Sequence, residues 1–133
     1  MNPPRKGPSR HGLFIYAVDA ERLAAFYEAL LGLRRVHASP QVIVLGLPDS
    51  DLQLVVHPIP PAIAATIEIR SPPEPREDTA LKFFFTVTSL DTARALAAGL
   101  GGCVEEHAWP GTGFVMCRGW DPEGNIFQLR EFR

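Results

Sequence analysis

A glutamate and a histidine two residues apart, Glu105 and His107, are the first candidates for chemistry in this sequence. Because side chains alternate along a strand, a strand over 103–109 would place both on one face, together with Trp109. A carboxylate beside an imidazole can act as an acid/base pair. A solvent-facing strand edge has the same spacing, so the pattern is compatible with catalysis and with a simple polar edge.

Lys82 is the other candidate, because it stands between the apolar residues Leu81 and Phe83 in a predicted strand. An ammonium group in a partly closed space needs a carboxylate partner or an anionic ligand. Glu77 and Asp78, just upstream, could supply that carboxylate, or the charges could form a solvated run at the mouth of the strand. Lys82 is therefore a candidate for acid/base catalysis or for binding an anion.

The composition limits the classes of function. A chain of 133 residues with a net charge of −2 fits one domain and carries no field that would attract nucleic acid or an acidic membrane. The longest charge-free apolar stretch, 52–67, contains three prolines and cannot form a spanning helix. Because residues 1–10 lack the apolar segment of a secretory signal, we expect a cytoplasmic protein with Cys103 and Cys117 reduced. No Gly-rich phosphate loop is present, and no cofactor is expected.

The elements that must position these residues occur twice. Each half contains, in order, a strand, a helix with a capping residue, a glycine that ends the helix, and three strands. The two caps, Asp19 and Ser89, are 70 residues apart, and so are the two glycines, Gly32 and Gly102. The predicted strands are 12–18, 34–38, 41–47 and 52–57 in the first half, and 81–88, 103–109, 114–118 and 125–131 in the second. This pattern predicts an α+β fold of two repeated βαβββ modules, with a mostly antiparallel, cup-shaped sheet and helices on its outer face.

The predicted domain organisation follows from the repeat. Residues 1–10 form a flexible N-terminal arm, and 11–133 form one domain. Within the domain, module 1 spans 12–57 and module 2 spans 81–131. The proline-rich connector 58–80 carries alternating residues at 66–70, which predict an additional strand.

Two groups of residues, 18–32 and the turn Asp121-Pro122-Glu123-Gly124-Asn125, resemble the vicinal oxygen chelate superfamily when they occur on this repeat. That superfamily includes glyoxalase I, extradiol dioxygenases, fosfomycin resistance proteins and bleomycin resistance proteins. The resemblance covers roughly 12–131, and it implies paired modules whose strands form a cup around a ligand. It also implies a homodimer, because a second chain commonly completes these cups.

The resemblance further implies four positions that hold a divalent metal in metal-dependent members. Here those positions are occupied by Gly12, Gln53, Lys82 and Gln128. Glycine has no side-chain donor, glutamine is a weak ligand, and a protonated lysine cannot bind a cation. We therefore expect no metal site. His11 lies next to the first position, where a bulge could turn it inward; otherwise it lies near solvent at the start of the strand.

By alternation, one set of side chains faces the cup and could bind a ligand. These are Phe14, Tyr16, Gln53, Val55, Lys82, Phe84, Thr86, Ile126, Gln128 and Arg130. Aromatic side chains with a few convergent polar groups are typical of small-molecule pockets, although the rings could also simply fill the cup. The leading hypothesis is a metal-independent protein that binds a small organic, anionic ligand, as drug-resistance relatives do. The alternatives are a metal-free lyase or isomerase using Glu105, His107 or Lys82, and a metalloenzyme built around His11.

Overall fold

The computed structural model describes residues 9–133, whose strands and helices follow the twofold repeat of the sequence. The elements are β1 (His11–Ala17), α1 (Ala20–Leu31), β2 (Arg34–Ala38), β3 (Ile43–Gly46), β4 (Leu52–Pro58), α2 (Pro61–Ala64), β5 (Phe83–Thr86), α3 (Leu90–Gly99), β6 (Cys103–Pro110), β7 (Phe114–Trp120) and β8 (Ile126–Phe132). The short helix α2 belongs to the connector, and the other elements form two βαβββ modules. The predicted α+β fold of two repeated modules is confirmed. Residues 1–8 of the predicted arm lie outside the described residues.

Each module contains one four-stranded sheet. The strand order is β1-β4-β3-β2 in the first sheet and β5-β8-β7-β6 in the second. In both sheets the first strand of the module pairs in parallel with the last, and the remaining pairs are antiparallel. A parallel pair requires a long crossover, which the helix and two intervening strands supply.

Helices α1 and α3 begin after the predicted capping residues, and α1 ends at the predicted glycine. The carboxylate of Asp19 accepts a hydrogen bond from Arg22 N at 3.1 Å, and the hydroxyl of Ser89 accepts one from Thr92 N at the same distance. Gly32 ends α1 in the left-handed conformation with φ 67°, which glycine adopts without strain. No helix in the described part of the chain is long and apolar enough to span a membrane.

Helix α1 packs against both modules. Its apolar stripe consists of Leu23, Phe26, Tyr27 and Leu30, all of which are buried. The rings of Phe26 and Tyr27 each lie 6.1 Å from the ring of Phe127 in β8, so a helix of module 1 covers the sheet of module 2. Phe127 and Leu129 belong to this core, and the partly buried Phe83 and Phe85 pack against it. These four side chains therefore face the helices.

The turn before β8 joins the modules through two buried carboxylates. Asp121 accepts hydrogen bonds from Tyr27 Oη at 2.7 Å and Asn125 Nδ2 at 2.9 Å, as well as from the backbone N–H groups of Glu123 and Asn125. Burial raises the pKa of the Asp121 carboxyl. Burial, together with the nearby charge of Asp121, raises the pKa of the Tyr27 phenol. Glu123 accepts from the backbone N–H groups of Val18 and Asp19, both at 2.8 Å. The turn therefore fixes how module 2 meets the start of α1.

Three predicted strands differ from the structure. The strand at 66–70 is absent: Pro61 starts the one-turn helix α2, and 67–70 alternate in burial without pairing to another strand. The predicted strand 81–88 is shortened to Phe83–Thr86, and 41–47 to Ile43–Gly46. The first error matters least for the site, whereas the second removes Lys82 from the sheet.

Candidate ligand site

Each sheet has one face against the helices and one open face. On β4, Leu54 and Val56 are buried against the helices, and on β8 Phe127 and Leu129 are buried in the same way. The other side chains of each strand point to the open face. There Phe14 and Tyr16 of β1 are 52% and 59% exposed, and Phe84 of β5 is 54% exposed. The alternation used to select the ligand-lining set therefore agrees with the burial of its aromatic members.

Strand register places the predicted lining residues in rows. Gly12 pairs with Gln53 and Phe14 with Val55 on the first sheet. On the second sheet, Phe84 pairs with Gln128 and Thr86 with Arg130. Ile126 is buried at the start of β8. The structure thus groups nine of the ten predicted residues on the strands, and Lys82 lies just before β5.

Arg130 occupies an aromatic clamp on the open face of the second sheet. Its guanidinium carbon lies 3.7 Å from the ring centroid of Phe84 and 4.6 Å from that of Phe114. Stacking on two rings holds the planar group by cation–π attraction. Its buried Nε has no hydrogen-bond partner, and no carboxylate of the described residues lies within ion-pair distance of the side chain. Arg130 is therefore a preorganised cation without an acidic partner among residues 9–133.

Arg118, on β7 beside Gln128, is a second arginine on this face, and sequence reasoning missed it. Glu77 of the connector accepts a hydrogen bond from Arg118 Nη1 at 3.0 Å and another from Nη2, and Glu105 Oε1 lies 3.1 Å from Arg118 Nε. The adjacent guanidinium holds the pKa of Glu77 below its usual value. Arg118 is thus already neutralised by protein carboxylates, in contrast to Arg130.

The three catalytic candidates do not come together. Lys82 is exposed, and its ammonium donates to the backbone oxygen of Thr79. Of its two expected partners, Glu77 and Asp78, Glu77 accepts hydrogen bonds from Arg118, and the charge of Lys82 contributes only to lowering the Glu77 pKa. An irregularity between Val104 and Ala108 interrupts the register of β6. Within it Glu105 pairs with Arg118, whereas the ring of His107 contacts that of Trp109 at 4.3 Å between centroids. No hydrogen bond joins Glu105 to His107 in the described part of the chain.

The residues at the four superfamily metal positions do not fit a divalent cation. Gly12 has no side chain, and a Cβ at this position would lie 3.1 Å from the backbone oxygen of Gln53. Gln128 pairs with Phe84 rather than with Lys82, which is outside the strand. Across residues 9–133, no three His, Cys, Asp or Glu side chains are arranged to hold a metal. The donor set is therefore unsuited to metal chemistry.

His11 is exposed, with Nδ1 3.5 Å from Asp51 Oδ2 at the start of the first sheet. No register irregularity interrupts the pairing of β1 with β4, where His11 is opposite Leu52. The bulge that could have turned His11 towards the cup is thus absent from this strand pair.

A cleft of about 250 Å³ lies where the two modules meet. From module 1 it is lined by both faces of the edge strand β1, including Phe14 and Tyr16, and from module 2 by Lys82, Phe83 and Ile126. A larger depression of about 660 Å³ lies between the limbs of the connector and is lined by 67–70, 73–78 and Glu123. We place the candidate site on the open faces of the sheets, around Arg130. The smaller cleft adjoins this surface at Phe14 and Tyr16 but is not lined by Arg130.

His57 completes an aromatic group on the first sheet that sequence reasoning overlooked. Its ring lies 5.6 Å from that of Phe14, nearly parallel, and 5.4 Å from that of Tyr16. Alternation along β4 from Gln53 through Val55 points to His57, so the signal was present in the sequence.

Comparison with known proteins identifies the family. The chain matches the family model of the glyoxalase-like domain over residues 12–130, and it belongs to that family. No match was found among curated proteins. The membership confirms the expected relation to the vicinal oxygen chelate superfamily.

Solved structures share the fold at low sequence identity. A glyoxalase/bleomycin resistance protein/dioxygenase family enzyme from Burkholderia phytofirmans PsJN has a TM-score of 0.65 and 16% identity, with 92% of this chain and 97% of that chain covered. A glyoxalase/bleomycin resistance protein from Albidiferax ferrireducens T118 has a TM-score of 0.64 and 18% identity, covering 92% and 98%. The fosfomycin resistance protein FosX from Mesorhizobium loti has a TM-score of 0.62 and 17% identity, covering 97% and 94%.

Proposed function

We propose that this protein binds a small organic anion on the open faces of its sheets, without a metal ion. The position of Arg130 carries the proposal: its guanidinium is held between Phe84 and Phe114 and has no acidic partner among the described residues. A partly buried guanidinium is costly unless an anion neutralises it. Its planar fork matches a carboxylate or phosphate group through two parallel hydrogen bonds.

The surroundings of Arg130 suit the organic part of such a ligand. The rings of Phe84 and Phe114 supply apolar surface beside the guanidinium, and Gln128 and Thr86 supply neutral polar groups on the same strand pair. This combination is typical of small-molecule sites. The names of the fosfomycin and bleomycin resistance neighbours are in keeping with a role in binding a small molecule.

Metal independence is proposed on the chemistry of the donors. Gly12, Gln53, Lys82 and Gln128 provide no anionic or imidazole ligand, whereas Arg130 provides a positive charge on the same open surface. A positive charge on this surface attracts an anion and repels a divalent cation.

The experiment is a binding screen with metal-free protein. EDTA-treated protein is titrated with small aliphatic and aromatic carboxylates and phosphonates, by thermal shift and then calorimetry. Arg130→Met should weaken the best anion at least about tenfold, which corresponds to about 1.4 kcal/mol, and Arg130→Lys should restore part of the loss. Arg70→Met removes an exposed arginine of the connector and is the matched control. Unchanged affinity in Arg130→Met would refute the proposal.

We also propose a cytoplasmic homodimer with a two-fold interface. Apolar side chains that remain exposed in the single chain, among them Leu81, Ile63 and Phe132, supply surface for a second copy.

A further inference from the structure

The neighbours of Arg130 differ in polarity from one side to the other. In the strand register, Arg130 is paired with Thr86 of β5 on one side and with Met116 of β7 on the other. Along β8 itself, Gln128 lies on the same face, and Arg118 with its carboxylate partners is opposite Gln128. The hydroxyl, amide and charged groups suit water or other polar groups. The apolar direction across the sheet from Arg130 therefore leads to β7.

The same row continues from Met116 to an exposed tryptophan. Trp109 of β6 is paired with Met116, and paired residues of neighbouring strands point to the same face of a sheet. Neighbouring strands are about 4.8 Å apart, so Trp109 stands roughly 10 Å from Arg130 along the row, with Met116 between them. The indole is 52% exposed. A large apolar side chain is thus left in water at the end of a row that begins at the guanidinium of Arg130.

The hairpin of β6 and β7 holds this apolar surface in place. The ring of Trp109 meets that of His107 edge-on, with 4.3 Å between centroids. The ring of Phe114, over which Arg130 lies, packs against Gly111 in the turn between the strands, where a Cβ would collide with it. Gly111 N also donates a hydrogen bond to Phe114 O at 2.8 Å. The surface beside Arg130 is therefore preformed, which lowers the entropic cost of binding a ligand there.

We propose that the ligand is an amphiphilic acid, whose acidic group binds Arg130 and whose elongated apolar body lies over Met116 with its far end against Trp109. This inference rests on the proposed function, because the acidic group is the one assigned to Arg130. It adds the chemical class of the ligand, and it makes Met116 and Trp109 the residues that select for the length of the apolar body. Removing the body and the indole from water together is favourable in proportion to the apolar area buried.

The first test measures affinity against the length of the apolar body. Linear carboxylates from butanoate to decanoate are titrated by calorimetry, below the concentrations at which they form micelles. Each methylene buried on the row should raise the affinity by about threefold to fourfold, and the rise should level off once the chain passes Trp109. Met116→Gln keeps the length of the side chain but places an amide beneath the ligand, so it should flatten the rise. Leu47→Gln, at an exposed position after β3 in module 1, is the matched control and should leave the rise unchanged.

The second test follows the indole directly. The chain has two tryptophans, Trp109 and Trp120. In Trp120→Phe the remaining fluorophore is Trp109, and saturation with octanoate should move its emission to shorter wavelength, because the ring leaves water. Trp109→Phe is the reciprocal variant and should lose the shift. A shift that persists in Trp109→Phe would overturn the role of Trp109. Emission typical of a buried indole in ligand-free Trp120→Phe would also overturn it, because a second copy of the chain would then cover the row.

The outcomes separate this inference from the proposed function. Binding that is lost in Arg130→Met but does not vary with chain length would overturn the apolar row and leave the anion site intact. A rise with length that is equally steep in Met116→Gln and Leu47→Gln would overturn the placement of the apolar body on Met116. Octan-1-ol binding as tightly as octanoate, or a lack of binding for every acid, would overturn both proposals.

Discussion

The carboxylate of Glu123 accepts a hydrogen bond of 2.8 Å from the backbone N–H of Asp19, which lies 104 residues earlier in the chain. The same carboxylate also accepts a hydrogen bond from the backbone N–H of Val18. One side chain of module 2 therefore provides the acceptor for both backbone N–H groups between β1 and α1 of module 1. Glu123 is 5% exposed. The residue that stands out in the sequence as part of a family motif is therefore a structural link between modules.

Removing this link should destabilise the fold. Glu123→Ala leaves two partly buried N–H groups without acceptors, and we expect the free energy of unfolding to fall by about 2–4 kcal/mol. Denaturant unfolding monitored by tryptophan fluorescence measures the change. Glu68→Ala, at an exposed position of the connector, should shift the value by less than about 0.5 kcal/mol. Equal effects of the two substitutions would contradict the role of Glu123.

The two faces of the sheets should respond differently to loss of an aromatic ring. Phe127 is fully buried against Phe26 and Tyr27, so Phe127→Ala should cost about 3–5 kcal/mol through transfer and cavity terms. Phe14→Ala should cost clearly less, because the ring is already half exposed. Thermal unfolding of the two variants in parallel tests the assignment of faces. Similar losses would mean that Phe14 is covered in solution, as dimerisation through that face would require.

The pair between Glu77 and Arg118 should make a pH-dependent contribution to stability. Hydrogen bonding to Arg118 lowers the pKa of Glu77, so the unfolded chain binds the proton more readily than the folded chain. The contribution is complete above the unfolded-state pKa, near the ordinary glutamate value, and is lost as the pH falls through the lower folded-state pKa. Glu77→Gln should therefore be less stable than the wild type at pH 7, and the difference should shrink as the pH falls through the lowered folded-state pKa of Glu77. A difference that persists undiminished in acid would show that the carboxylate charge is irrelevant.

Divalent metals should leave the protein unaffected. A ligand that binds only the folded state raises the melting temperature, so Zn²⁺, Ni²⁺ or Mn²⁺ should produce no upward shift. Differential scanning fluorimetry of EDTA-treated protein, followed by metal analysis of untreated protein, provides the measurement. A stoichiometric metal in the purified protein would return the site to the metal-dependent pattern of the superfamily.

The proposed homodimer predicts a mass in solution of twice that of the chain. Light scattering coupled to size exclusion should give this mass at tens of micromolar, about the range in which a stable dimer is fully formed. Leu81, which is 86% exposed in the single chain, belongs to the proposed interface, so Leu81→Lys should reduce the dimer fraction. A monomeric mass for the wild type at that concentration would contradict the proposal.

The caps and the faces of the strands could be predicted because they depend on local patterns, and the repeat because the same local patterns recur in the two halves. Asp19, Ser89 and Gly32 act within one helical turn, and alternation assigned Phe14 and Phe127 to opposite faces. Such signals need only a few neighbouring residues.

The arrangement of charges in the site could not be predicted, because it depends on partners distant in sequence. Glu77 and Arg118 are 41 residues apart, and nothing local distinguishes this pairing from one between Glu77 and Lys82. Glu105 and His107 likewise have different partners, Arg118 and Trp109, although their spacing suits a shared function. Only the tertiary structure revealed that Arg130 lacks an acidic partner among the described residues while Arg118 has two.

The most direct measurement of the central claim is a structure of EDTA-treated protein with the tightest-binding anion from the screen. We predict the acidic group of the ligand within about 3 Å of the guanidinium nitrogens of Arg130, the distance of a charge-assisted hydrogen bond, and no metal between them. An anion bound elsewhere with the clamp of Phe84 and Phe114 unchanged, or an anion held through a metal ion, would contradict the account.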